Sequence, residues 1–386
     1  MVPFLLNCTD PFVGSVNELL AEEPERGGEE PTVLALSALS ALSLPTPVGV
    51  SDAYTIDPRL LFTGLVGPYL DTSEYDSHYN EPPWDIPVLE SLTVVDGLAG
   101  RVNLLLSELV RLDIRPHLAQ GIDRFALQAF FTSANCQKFV SAFYRRRHYH
   151  SPLIHWPTLD LETVALPLLL ALLLTGAAYS HWRETNSGDV GFAKGLHALA
   201  DKYIFNSLKQ RTETDTASNH RQETLEILQA AYMINYLHIS MNDVGARRGV
   251  MTKRHPMLVA SVKERGLTSS RHTAGEDRDD FIYQESCIRL VTWTFLTDAL
   301  LTLFANKPPL MLLHEISSHM PCREEFWDME YVSDSDMQLV IEELCWGGFG
   351  LKSIISELLS DQEWTEGTET SLRLNVRHLH AAIFGK

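Results

Sequence analysis

The chain has 386 residues, of which 45% are hydrophobic and 9% aromatic, and its formal net charge at pH 7 is −19. A chain of this length and composition can bury a sizeable core in one large or two ordinary domains. A strongly acidic chain repels the phosphate backbone of nucleic acids, so these residues by themselves are expected to bind DNA or RNA poorly.

The charge is unevenly distributed, because residues 1–90 carry fifteen acidic and only two basic side chains. Residues 21–50 join a Glu/Gly/Pro patch to low-complexity Ala-Leu-Ser repeats, and residues 71–86 mix acidic residues with Tyr75, Tyr79 and Trp84. Such a composition cannot bury enough apolar surface to fold alone. We therefore predict an acidic, largely disordered N-terminal segment. Its aromatic stretch is either a solvated linker, which we favour, or an activation segment that docks on coactivators.

From residue 91 to residue 386 the hydrophobic pattern is helical. One apolar stripe recurs at three- and four-residue spacing along residues 98–110, and a second begins at Cys136, with Ser133 as the expected N-cap. Similar patterns predict further helices near residues 164–182, 191–209, 222–240, 249–265, 281–305, 337–359 and 372–384. Sustained alternation of apolar and polar residues is absent from this sequence. We predict an all-α, irregular multi-helix domain over residues 91–386.

The most apolar segment is Leu166–Ala178. It has thirteen residues and contains Pro167, and it is shorter than the ~18 residues that a membrane span needs. We therefore predict a buried central helix. The first twenty residues show no positively charged region followed by an apolar core, so we expect neither an export signal nor a membrane partner.

A ladder of polar and aromatic residues occupies residues 281–310. It consists of Glu285, Arg289, Trp293, Asp298 and the Lys307-Pro308-Pro309 turn. The first three members follow one another at four-residue spacing and so share one helical face. The helix is expected to end near Asn306, because the two prolines that follow cannot continue it. As an exposed ion pair, Glu285–Arg289 would add only ~0.3–0.5 kcal/mol, so we expect its value to lie in positioning.

Further motifs precede the ladder. Residues 139–159, FVSAFYRRRHYHSPLIHWPTL, join an aromatic helix to a Pro-hydrophobic-His-x-Pro-Thr turn. The positions that define this motif are Phe139, Phe143, His150, Pro152, Ile154, His155, Pro157 and Thr158. The apolar segment then ends in Gly-Ala-Ala-Tyr-Ser at residues 176–180, and a helix pair follows, with Leu225–Tyr236 leading to Ala246-Arg247-Arg248.

In this order, and over roughly residues 130–330, the motifs resemble those of the fungal-specific transcription factor domain. That domain is the large helical region C-terminal to a zinc-dependent DNA-binding module. The match departs at Leu159, where an aromatic residue is usual, and at Asn306-Lys307, which replaces a Gly-Arg pair. Residues 3–11, PFLLNCTDP, resemble a short segment between the finger module and the helical domain of finger-type regulators, and they favour that variant.

The resemblance implies a nuclear regulator of RNA polymerase II genes in a fungus rather than an enzyme. The helical domain would control activity without contacting bases, and a metabolic or secondary-metabolite pathway is the typical target. The implied partners are transcriptional coregulators, a second copy of the chain in a homodimer, and DNA only through a module absent from this chain. The resemblance nominates no catalytic, cofactor-binding or metal-binding residue.

Cysteine spacing bears on the zinc module. A binuclear zinc cluster needs six closely spaced thiolates, and a two-Cys two-His finger needs a close Cys pair. The five cysteines are instead scattered, at Cys8, Cys136, Cys287, Cys322 and Cys345. We expect no cofactor in this chain, and zinc only if a DNA-binding module is encoded upstream. The competing hypothesis is a DNA-binding-deficient interaction protein that modulates other regulators.

Two residue clusters could have a specific binding function, but each also has an ordinary structural interpretation. The basic run Arg145-Arg146-Arg147-His148 is either a localisation or phosphate-binding patch or, as we favour, the solvent face of the aromatic helix. His314, His319 and Cys322 match the spacing of no closed zinc site, so we predict a loop of ordinary polar residues there.

A remote alternative is an all-α, metal-dependent isoprenoid synthase. The carboxylates that suggest such an enzyme are Asp277, Asp279 and Asp280, with Asn242-Asp243 as a second motif. Such enzymes hold magnesium ions on a diphosphate with two acidic motifs. Here the second motif lacks two of its residues, the order is reversed, and residues 268–280 are predicted to form an exposed loop.

Overall fold

The computed structural model describes residues 95–113, 124–146, 148, 151–180, 187–214, 220–240, 243–329, 334–345 and 350–358. These ranges form helices, short helical turns and loops, and their one β-type contact is an isolated bridge between His319 and Gly350. The prediction of an all-α fold is confirmed. The acidic segment predicted over residues 1–90 and the helix predicted near residues 372–384 lie outside the described residues.

The described residues form twelve α-helices, numbered in chain order. They are α1 (Val95–Asp113), α2 (Arg124–Phe130), α3 (Ser133–Arg146), α4 (Leu166–Tyr179), α5 (Ser187–Thr214), α6 (Arg221–Ser240), α7 (Val244–Gly249), α8 (His255–Glu264), α9 (Arg278–Ala305), α10 (Glu324–Trp327), α11 (Asp334–Cys345) and α12 (Leu351–Leu358). A π-helical turn, Val250–Arg254, joins α7 to α8. The single helix predicted near residues 337–359 is divided between α11 and α12.

Helix α4 lies at the centre of the bundle because almost all of its surface is apolar. Every residue from Pro167 to Ala178 is buried. A helix that is apolar all round is stable only inside a core. Helices α3, α5 and α6 pack against it, and α6 also contacts α8 and α9. The prediction of a buried central helix is confirmed.

Helices α1 and α3 present the two apolar stripes expected from the sequence. The buried members of these stripes are Leu98, Val102, Leu105, Leu106, Leu109, Cys136, Phe139, Val140 and Phe143. The expected N-cap of α3 is wrong by one residue. Ser133 is the first helical residue, and the hydroxyl of Thr132 accepts the Asn135 amide hydrogen bond at 3.2 Å. Adjacent hydroxyl residues compete for this role, and the backbone geometry selects between them.

Helix α9 contains a window that is apolar enough to cross a membrane. Among the described residues this is the one candidate, Arg278–Leu303, and 78% of its window is buried inside the protein. Such burial is typical of the core helix of a folded domain. Its packing against α6 and α8 accounts for its apolar character.

Helices α3 and α4 approach each other closely at Gly176. A Cβ atom at this position would lie 1.9 Å from the backbone oxygen of Phe139 and 2.5 Å from its carbonyl carbon. A helical backbone cannot yield in the way that the end of a flexible side chain can. Any larger residue at this position therefore forces the two helices apart.

We expect Gly176→Ala to lower the free energy of unfolding by about 1–3 kcal/mol, because the added methyl group overpacks this interface. Urea denaturation followed by circular dichroism measures the effect. The matched control is Gly195→Ala on α5, where a Cβ atom meets nothing within 4 Å. That change removes a glycine from an exposed position of a helix and should stabilise the fold by about 0.5–1 kcal/mol. Equal losses in the two variants would contradict the close approach.

Candidate functional site

The ladder residues Glu285 and Arg289 form a buried ion pair on α9. Arg289 Nε donates to Glu285 Oε1 at 2.6 Å. The arginine side chain is 1% exposed and the glutamate side chain 0% exposed. Side chains four residues apart are neighbours on a helix surface, as the spacing predicts. Asp277 begins this helix as its N-cap, since its carboxylate accepts a hydrogen bond from the Asp280 amide at 2.8 Å.

The remaining donors of Arg289 hold segments that are distant in sequence. Nη1 donates to the Pro152 carbonyl at 3.2 Å, and Nη2 donates to the Cys322 carbonyl at 2.8 Å. The guanidinium also lies over the Trp327 ring, 4.5 Å from its centroid, in a cation–π contact. One guanidinium therefore ties α9 to the loop after α3 and to the segment around α10.

Glu285 is bound on its other side by an imidazole. His272 Nε2 lies 3.0 Å from Glu285 Oε2, and His272 Nδ1 lies 3.0 Å from Glu276 Oε2. Ionised carboxylates only accept hydrogen bonds, so both ring nitrogens donate and His272 is a buried imidazolium. The Cys322 amide also donates to Glu285 Oε1 at 2.8 Å. We call His272, Glu276, Glu285 and Arg289 the charge cluster; its two positive and two negative charges balance.

The pKa values of the charge cluster follow from these contacts. Burial alone raises the pKa of Glu285, but the Arg289 charge and hydrogen bonds from the His272 and Cys322 side chains outweigh it and lower the pKa to about 2. Burial alone lowers the pKa of His272, but hydrogen bonds to Glu276 and Glu285 raise it to about 9. Hydrogen bonds to the charged forms therefore keep both groups ionised at neutral pH.

This burial overturns the expectation of an exposed, weak ion pair. The loops that carry Pro152 and Cys322 cover the pair, and neither loop adjoins α9 in sequence. The segment 268–280, predicted to be an exposed loop, likewise sends His272 into the core, where the residue is 2% exposed. Removing one partner of a buried pair typically costs about 3–5 kcal/mol, far more than the same change on the surface.

Asp298, the last ladder residue within α9, holds the turn that follows this helix. Its Oδ2 accepts hydrogen bonds from the amides of Leu310 and Met311 at 2.7 and 2.8 Å. Its Oδ1 lies 3.0 Å from Nε2 of His255, the first residue of α8. Helix α9 ends as predicted, with Asn306 in the left-handed conformation at a φ of 50°. One carboxylate therefore fastens the proline turn and α8 to the same helix.

The Pro-hydrophobic-His-x-Pro-Thr turn meets the charge cluster at Trp327. His155 Nδ1 is hydrogen-bonded to Thr158 Oγ1 at 2.8 Å, and the imidazole packs edge-on to the Trp327 ring at a centroid distance of 4.7 Å. Burial, reinforced by the charges of Arg278 and Arg289, lowers the pKa of His155 to about 3, so this ring is neutral. Two motifs that are distant in sequence thus share one aromatic side chain.

The residues considered as zinc ligands do not converge. His314 is exposed, whereas His319 and Cys322 are buried. His319 Nδ1 accepts from the His272 amide at 3.2 Å, and Cys322 Sγ lies 3.6 Å from Arg289 Nη2. Within the described ranges, no group of three or more His, Cys, Asp or Glu side chains is placed to hold a metal ion. The loop predicted to carry ordinary polar residues is instead part of the cover over the charge cluster.

The aspartates compared with a magnesium site begin helices instead. Asp277 and Asp243 are the N-caps of α9 and α7, and the Asp243 carboxylate accepts from the Ala246 amide at 2.9 Å. Asp280, in the first turn of α9, pairs with Arg221 at 2.5 Å. Capping and a surface ion pair account for these carboxylates without a diphosphate.

Of the basic run 145–148, the structure describes the side chain of His148. His148 is 3% exposed, and its Nε2 lies 3.2 Å from Asp328 Oδ1. This histidine is therefore not on the solvent face of the aromatic helix. The side chains of residues 145–147 lie outside what the structure describes, so their role remains a prediction.

A small cleft lies beside the charge cluster. Its lining is mainly apolar, with His155 and Arg278 as the polar members and Phe281, Ile282, Phe326, Met329, Met337 and Val340 as the rest. This lining does not pair a nucleophile with a base. The four members of the charge cluster are paired with one another, as in a structural joint between elements.

Sequence reasoning found part of the charge cluster and missed the rest. The helical period selects Glu285 and Arg289, but His272 and Glu276 lie in a loop that has no periodicity. The available signal was a histidine followed four residues later by a glutamate, and that pattern is too common to select a buried pair. No sequence feature pointed to Trp327, because it belongs to none of the recognised motifs.

These features define an α-helical scaffold in which motifs distant in sequence meet at buried ion pairs. A family model described as "Fungal specific transcription factor domain" matches residues 127–369, which is more than half of the chain. The chain belongs to this family.

The relatives are similar only over part of their length. The chain is 24% identical over 277 residues to "Transcription factor verF" of Penicillium polonicum, which covers 67% of this chain and 36% of verF. It is 22% identical over 214 residues to "Zinc finger protein zas1" of Schizosaccharomyces pombe, which covers 52% of this chain and 22% of zas1. The chain thus spans about a third of the length of verF and about a fifth of the length of zas1. No solved structure matches it.

We expect Arg289→Met to lower the free energy of unfolding by about 3–5 kcal/mol, since the change leaves Glu285 buried with one fewer neutralising charge. The matched control is Arg221→Ala, which removes an ion pair to the same helix whose partners are 55% and 43% exposed. That control should cost less than about 1 kcal/mol. Urea denaturation of both variants makes the comparison, and similar losses would show that burial of the pair is not decisive.

The charge cluster predicts a dependence of stability on pH. The pKa of His272 rises from 6.5 to about 9 on folding, so the folded state binds this proton more tightly. Its contribution is fully present below pH 6.5 and is lost as the pH rises through about 9. Glu285, with its pKa lowered to about 2, contributes above pH 4.5 and loses that contribution as the pH falls through about 2. Stability should therefore fall on the alkaline side, by at most about 1.4 kcal/mol per pH unit.

Denaturation curves recorded at intervals from pH 6 to pH 10 measure this slope. His272→Gln should have a lower stability at pH 6 and a flatter alkaline limb, because it has no proton to lose. His314→Gln, at an exposed position, is the matched control and should keep the wild-type slope. An unchanged slope in His272→Gln would show that another group titrates.

Proposed function

We propose that this chain is the regulatory domain of a fungal regulator of RNA polymerase II transcription and that it acts in the nucleus. The observation that carries the proposal is that the motif residues of the matched family are the buried joints of this fold. Glu285 and Arg289 join α9 to two covering loops, and Asp298 joins it to the proline turn and α8.

In this proposal the domain is a scaffold that holds its loops in one arrangement. The Arg289 guanidinium donates to loops on either side of it, so displacing one loop leaves buried donors without acceptors and disturbs the other. A buried polar network of this kind favours a single well-defined packing over a continuum of shapes. A partner or metabolite that favours a second packing would thereby change the activity of the whole regulator.

DNA contact and zinc belong to a separate module in this proposal. The net charge of −19 opposes duplex binding by these residues. The relative zas1 is by its name a zinc finger protein, which supports a finger-type module. The proposed partners are coregulators and a second copy of the chain, and the proposed targets are genes of a metabolic or secondary-metabolite pathway. Membership of a transcription factor family supports a regulator rather than an enzyme.

The test uses the fungus that carries the gene. A deletion strain is complemented at the native locus with fluorescently tagged wild type, Arg289→Met or Arg221→Ala, and RNA sequencing is combined with chromatin immunoprecipitation and immunoblotting. We expect nuclear fluorescence, a defined set of transcripts altered by the deletion, and restoration by wild type and Arg221→Ala. Arg289→Met should fail to restore these transcripts. The immunoblot shows whether the variant protein is present at normal abundance or has been lost.

The outcomes separate the candidate functions. Occupancy at the promoters of the altered genes supports a DNA-linked regulator, and mapping the 5′ end of the transcript then shows whether an in-frame zinc module is encoded upstream. Altered transcripts without promoter occupancy favour the DNA-binding-deficient interaction protein that the acidic charge suggests. Unaltered transcripts in the deletion strain would refute the regulatory proposal.

A further inference from the structure

Thr273 connects the protein surface to the charge cluster. Its side chain is exposed, its Oγ1 donates to Glu276 Oε1 at 3.0 Å, and its amide donates to the same oxygen at 2.7 Å. The other oxygen of Glu276 lies 3.0 Å from His272 Nδ1. One carboxylate therefore contacts a surface hydroxyl and a buried imidazolium at the same time.

The sequence that follows Thr273 is strongly acidic. Carboxylates stand three, four, six and seven residues after it, at Glu276, Asp277, Asp279 and Asp280. The Glu276 side chain is only 7% exposed and Asp280 pairs with Arg221, whereas Asp277 and Asp279 are exposed. A hydroxyl followed by such a run suits a kinase whose substrate groove is lined with lysines and arginines, because the charges are complementary.

Exposure distinguishes Thr273 from the residue that most resembles it. Of the serine and threonine side chains that the structure describes, Ser261 and Thr273 have an acidic residue three positions later, Glu264 and Glu276. Ser261 is 7% exposed on α8, whereas Thr273 lies in an exposed loop whose turn is made by Gly275 at a φ of +84°. The folded protein thus offers one of these two hydroxyls to an enzyme and conceals the other.

We infer that Thr273 is a phosphorylation site for an acidophilic serine/threonine kinase, and that its modification opens the loop that carries His272. In the reaction Thr273 Oγ1 attacks the γ-phosphorus of ATP, and the bond from that phosphorus to the β–γ bridging oxygen breaks. ADP leaves, and the hydroxyl proton passes to the catalytic base of the kinase. The product adds a charge of about −1.5 to −2 at this position.

The physical consequence follows from the contacts of Glu276. The modified oxygen can no longer donate a hydrogen bond, and the phosphate stands beside a carboxylate that is 3.0 Å from that oxygen in the unmodified protein. Like charges this close repel each other, so Glu276 is driven away from Thr273 and from His272. The His272 imidazolium then keeps one of its two carboxylate partners, and the loop loses its anchor. This inference does not depend on the proposed function, because it concerns the loop itself.

The experiment treats the full chain with a purified acidophilic casein-type kinase, Mg²⁺ and ATP. Peptide mass spectrometry locates the phosphate, and amide hydrogen exchange is recorded before and after treatment. We expect phosphate on Thr273 and none on Ser261 in the folded protein, with phosphate on both after denaturation. Exchange over residues 271–277 should become about tenfold faster or more, because the Thr273 amide loses its acceptor.

Two variants isolate the effect from other acceptors in the acidic segments. Thr273→Ala should show no kinase-dependent change in exchange over residues 271–277, and Thr273→Ser should behave like wild type. An absence of phosphate on Thr273 in the folded chain would overturn the site. Phosphate on Thr273 with unchanged exchange over residues 271–277 would overturn the opening of the loop.

Discussion

The buried ion pair between Glu285 and Arg289 is the contact on which the rest of the domain depends. Moving two charges out of water is costly, and their attraction offsets that cost only when the remaining hydrogen-bonding atoms are also satisfied. The protein meets this requirement with His272, with backbone carbonyls of two loops and with the Trp327 ring. The hydrogen bonds from Arg289 hold the loops that carry Pro152 and Cys322 against α9.

This kind of joint selects one packing more strongly than it adds stability. An apolar core tolerates small shifts, whereas a guanidinium with fixed donors rejects any arrangement that moves an acceptor. Asp298 applies the same principle at the other end of α9, where one carboxylate receives two amides and faces an imidazole.

The histidines show how far the environment decides the chemistry of a side chain. His272 lies between two carboxylates and is charged, with its pKa raised to about 9 despite burial. His155 and His197 are buried beside positive charges and are neutral, with pKa values of about 3. All three are histidines, and the sequence close to them distinguishes His272 only by Glu276, four residues later. Distances to partners brought by other elements separate them, and the same distances make the loop of Thr273 sensitive to added charge.

The sequence by itself determined the helices, the buried position of α4, the end of α9 at Asn306 and the presence of the ladder, because helical period and proline placement are local properties of the chain. It also carried the family motifs. Only the tertiary structure decided that Glu285 and Arg289 are buried, that His272 completes their cluster and that Trp327 links it to His155. Burial depends on which distant segments cover a helix face, and periodicity along one helix contains no information about that cover.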